Sequence, residues 1–157
     1  MRTSRIPLLI AGLAIVTGGL IYILFRPSEF VFFQWIRTLG FGQTLTFLRA
    51  PFSAATSIMP NWFIYSVPDS LWAFAYTLII LTIWSGSKSV WRYLWYATIP
   101  ILLLGSEFLQ LTGTIRGTFS FSDVGWITAG LFAGILTYAK TTNHLYYENT
   151  NNSQDNH

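Results

Sequence analysis

Ahead of a polar tail the chain carries four acidic residues, Glu29, Asp69, Glu107 and Asp123. Gln110 lies three residues after Glu107, Arg116 nine after it, and Asp123 seven after Arg116. On a helix, Glu107 and Gln110 share a face. A carboxylate accepts hydrogen bonds, an amide donates and accepts, and a guanidinium forks onto phosphate or carboxylate. Asp69, Glu107, Gln110, Arg116 and Asp123 are therefore candidate binding residues for a polar headgroup, with Arg116 on phosphate. In a catalytic version, Glu107 is the general acid or base and Arg116 stabilises phosphate charge. No nucleophile elbow or phosphate loop accompanies them. The chain has no Cys, and both His, His144 and His157, sit in the tail, so no metal site and no cofactor is expected.

Each of these residues also has a plainer use. Glu107 and Arg116 can form a structural ion pair that fastens two helices. Ser66-Val67-Pro68-Asp69 and Ser120-Phe121-Ser122-Asp123 both precede apolar runs and fit a helix-capping pattern, where negative charge suits the helix start. Tyr65 and Tyr76 are weaker candidates as hydrogen-bond donors near the same end.

The elements that must position this set are membrane helices. Hydrophobic residues are 52% of the 157 and charged residues 10%, against about 25% charged in ordinary soluble domains. Ile6 to Phe25 is free of charge and bounded by Arg5 and Arg26, long enough to span and too long for a signal-peptide core. Further spans are expected at about 67–86, 93–113 and 123–140, the third with Pro100 as a kink. Residues 26–66 are interrupted by charge, Gly and Pro. They read as an interfacial segment with two amphipathic pieces, about Glu29–Leu39 and Gln43–Phe52. Residues 141–157, polar and Asn-rich, read as a disordered cytoplasmic tail.

The expectation is thus a single all-α integral membrane domain, 1–140, of about four transmembrane helices with interfacial helices in the first outer loop. Lys and Arg near the helix ends favour both termini in the cytoplasm, which places Asp69, Glu107, Arg116 and Asp123 together toward the outer face of a cytoplasmic membrane. Glu107 then lies roughly 9 Å deep at 1.5 Å per residue. The net charge of +3 is scattered, which argues against a nucleic-acid partner. Gly130 and Gly134 form a small-xxx-small pattern for close helix packing, inside this bundle or against a second copy or membrane partner. Gly105 leaves room beside Glu107.

From Glu107 to Gly134 the sequence resembles the VanZ-like membrane proteins, through Glu107, Gln110, Arg116, Asp123, Gly130 and Gly134. Asp69 matches a further acidic position of that family. The chain departs from the pattern at Ser70 and Ala73, where Lys and His are usual, and at Ile127, where Asn is usual. The resemblance implies a four-helix membrane protein linked to the cell envelope and, through its best-known member, to glycopeptide (teicoplanin) resistance. The partner expected on this reading is a membrane lipid or lipid-linked envelope precursor; an assembly subunit and a small enzyme acting on a lipid-linked phosphate are the alternatives.

Overall fold

The computed structural model describes residues 5–27, 31–114 and 119–154, with side chains left aside at Ser106 and over 143–154. The described residues form helices α1 (Arg5–Phe25), α2 (Val31–Thr38), α3 (Gly42–Arg49), α4 (Ser53–Thr56), α5 (Asn61–Ile83), α6 (Trp91–Leu111) and α7 (Phe121–Gln154), with a 3-10 turn at Ala50–Phe52 and no strand. Helices α1, α5 and α6 are long and apolar enough to cross a membrane. Their outward side chains are of the kind that lipid accepts and water does not: Leu9, Leu13 and Val16 on α1, and Ile101, Leu102 and Phe108 on α6, are all exposed.

Helix α5 is the central element. Its buried positions, Ser66, Pro68, Ala73, Ala75, Thr77 and Leu78 among them, are mostly small, so neighbouring backbones come close. On one side α1 runs antiparallel to it. Ala11 and Ala14 pack on Ala75 and Leu78. At Gly18 an added Cβ would sit 2.7 Å from the Trp72 indole nitrogen, whose N–H donates to the Ile15 carbonyl at 3.4 Å. Toward the α1 C-terminus Phe25 meets Phe63 edge-on.

On its other side α5 runs parallel to α7. Trp62 stacks on Trp126 at 5.3 Å. A Cβ on Gly130 would fall 2.2 Å from the Ser70 carbonyl oxygen, and one on Gly134 would fall 2.9 Å from the Phe74 carbonyl oxygen. The matched spacing, 70 to 74 against 130 to 134, is a register in which only glycine fits. The small-xxx-small pattern is therefore used within the bundle, against α5. Helix α6 lies antiparallel to α5 and is held more lightly. Tyr76 and Thr98 hydroxyls bond at 2.7 Å, and Trp84 stacks on Trp95 at 6.2 Å.

Two boundaries differ from the sequence reading. Helix α5 begins at Asn61 behind the extended residue Pro60, so the interfacial segment ends there and not at 66. Pro60 stands ahead of the first turn, where no intrahelical donor is lost; Pro68 lies about two turns inside α5 and Pro100 inside α6, each removing one backbone donor from a helix that continues. The stretch expected as a disordered tail stays helical as far as Gln154; adding residues to an existing helix avoids the unfavourable nucleation step. Within the interfacial segment, α2 and α3 fall close to the two amphipathic pieces expected there.

Candidate functional site

Because α1 and α6 run against α5 while α7 runs with it, one end of the bundle gathers the C-termini of α1 and α6 and the N-termini of α5 and α7. Asp69, Glu107 and Asp123 meet there, close enough for their charges to act on one another. Asp69 does not head its helix. It lies about two turns inside α5, and the capping reading of Ser66–Asp69 fails with the helix start at Asn61. Ser66, 1% exposed, instead donates its hydroxyl to Asp123 Oδ1 at 2.5 Å, the short distance typical of a charge-assisted bond. Asp123 stands in the first turn of α7, where its charge also suits the helix start. The Ser120 backbone N–H lies near the Glu107 carboxylate and favours its charge.

Glu107 is 8% exposed. Its Oε2 is buried without a hydrogen-bond partner, and among the described residues no cation forms an ion pair with it. A buried carboxylate oxygen left unmatched is costly, so this atom is where the structure asks for a donor. Arg116, the partner expected from sequence, lies outside the described residues, as does Glu29. Gln110 is half-buried on α6, and its side-chain amide makes no hydrogen bond among the described residues.

Sequence reasoning passed over two members of the site. Arg26, read only as the flank of the first span, reaches Asp69 Oδ1 at 3.8 Å and lies over the rings of Tyr22 and Tyr65 at 4.8 and 5.3 Å. Tyr65 thus joins the site as a π-face for a cation. Tyr76 does not join it, being bonded to Thr98 farther along α5. The other is Ser66. A signal for it exists: Ser66, Ser70, Ala73 and Thr77 recur at helical spacing and make one small, polar face on α5, the face that α7 covers. Ala73 is fully buried and Ile127 is 5% exposed, so those two positions supply packing and no chemistry. Gly105 has open space where a Cβ would stand.

The described residues hold no group of three or more His, Asp or Glu with metal-binding geometry. The chemistry available is that of hydrogen-bond acceptors and negative charge, with the Arg26 guanidinium beside Asp69, in a poorly hydrated setting. Compared with family models, curated proteins and solved structures, the chain matches none.

Proposed function

We propose that this is a four-span, VanZ-like integral membrane protein of the cytoplasmic membrane. On this reading it binds a lipid headgroup or lipid-linked cell-envelope molecule at the Asp69–Glu107–Asp123 end of the bundle, facing outward. The observation that carries the reading is the buried, unpartnered Oε2 of Glu107 beside two further carboxylates. Asp69 has Arg26 and Asp123 has Ser66, so the Glu107 oxygen is the one that calls for a donor, which the ammonium or a hydroxyl of a headgroup supplies, while Arg116 takes the phosphate. The fourth span is supported by the pairing of α7 with α5: a helix lying parallel along a membrane-crossing helix from Trp126 to Gly134 crosses the same layer. The link to glycopeptide resistance rests on the resemblance alone.

The catalytic alternative lacks a nucleophile. The assembly alternative lacks its contact face, since Gly130 and Gly134 are spent on α5. Native mass spectrometry of protein released from its own membranes tests the reading. Wild type should retain a defined lipid adduct that Glu107→Gln and Arg116→Ala, both folded, lose. Identical adducts in all three proteins would leave the cluster as structural glue.

A further inference from the structure

Away from the carboxylates, α2 and α3 enclose a recess of about 320 Å³ lined by Arg37, Gly42, Thr46, Arg49 and Ser53. It opens into a shallower one that shares Arg37, Gly42 and Thr46 and adds Gln43. We propose that this recess is a second, anion-binding site, in which Arg37 and Arg49 together hold a phosphate group.

Arg37 comes from α2 and Arg49 from α3, and both line this recess. Folding brings the two positive charges near enough to act on one another, and an anion in the recess lies in the field of both. Burial and the neighbouring Arg37 charge both lower the pKa of Arg49, yet an arginine remains charged. No carboxylate among the described residues forms an ion pair with Arg49. Its position is fixed by backbone, not by acid: Nε donates to the Leu24 carbonyl at 3.3 Å and Nη2 to the Arg26 carbonyl, while the guanidinium covers the Phe33 ring at 5.1 Å. Arg37 is steadied by a bond from Nε to the Phe33 carbonyl at 3.3 Å. Gly42 lets it approach, since a Cβ there would stand 3.2 Å from Arg37 Cγ. Trp35, Leu39, Phe41 and Phe47 are exposed around the recess. Such aromatic and apolar side chains on short amphipathic helices lie at headgroup depth, where phosphate is the commonest anion.

The residues lining the recess are distinct from those of the carboxylate cluster, and the test separates the two. The full chain in maltoside micelles is titrated with fluorescent phosphatidylglycerol, with inorganic phosphate as competitor. Wild type should bind, and every comparison is repeated in a Glu107→Gln background, so that loss at the carboxylate cluster and loss at the recess are read separately. Arg37→Gln should weaken binding about tenfold, as expected for loss of one charge-assisted contact. Thr46→Glu, which adds negative charge to the recess and leaves both arginines and the α1 contacts in place, should do the same. Displacement by millimolar phosphate identifies free phosphate as a ligand; retention in its presence identifies the lipid. Unchanged binding of both probes in Arg37→Gln and Thr46→Glu overturns the site.

Discussion

Ser66 shows how a residue changes meaning when its helix starts earlier than expected. As a cap, its hydroxyl would serve backbone N–H groups at the start of α5. Inside α5 it reaches across to α7 and fixes one oxygen of Asp123. Replacing it with Ala removes a short bond to a charged group at a buried position. Ser66→Ala should lower stability by about 1.5–3 kcal/mol, read as a fall in melting temperature in detergent. If thermal unfolding is unchanged, Asp123 has another donor and the bond is incidental. Glu107→Gln has the opposite expectation. It keeps shape and the Ser120 contact and removes charge from an oxygen with no partner, so melting should stay level or rise while ligand is lost. Much of this site was readable: the acidic residues are so few that topology alone gathers Asp69, Glu107 and Asp123. Arg26 and Ser66 were hidden for a physical reason. A span flank and a Ser-x-x-Asp cap are each complete local explanations, and only the α1–α5–α7 packing shows that both side chains point inward.

Among the elements, the α5–α7 register is the most exacting. Gly130→Ala places a methyl carbon against the Ser70 carbonyl oxygen, a backbone atom that cannot swing aside, so a loss of about 3 kcal/mol or more is expected. Gly105→Ala on α6 meets open space and should be neutral or stabilise by up to about 1 kcal/mol through helix propensity. Equal melting of the two variants would refute the register. Helices themselves were legible from uncharged length, and the amphipathic pieces from their mixture of aromatic rings and arginine. The start of α5 was not. Proline at 60 and at 68 both look like punctuation, and the sequence offers no local reason to read through the second one.

For the whole molecule, the antiparallel and parallel pairings around α5 make a definite topology prediction. The chain contains no Cys, so single cysteines report accessibility against a silent background. Ser57→Cys should label from outside intact cells, whereas Ser87→Cys and Asn152→Cys should label only after the membrane is opened. External labelling at 152 with protection at 87 would mean that α7 does not cross, and the four-span arrangement would fall.

The central place of α5 has a further bearing on how the bundle comes to exist. During synthesis α1 emerges with its face of Pro7, Ala11, Ala14 and Gly18 long before α5, and such a small-residue face is shaped for close approach of another helix. That helix must wait alone until α5 follows, and the pair must then keep the Ser70–Phe74 groove empty until α7 brings its two glycines. Birth order along the chain therefore closes the carboxylate end last, and an arrested chain that stops short of α7 would display the groove, unfilled, to whatever quality-control machinery surveys the bilayer.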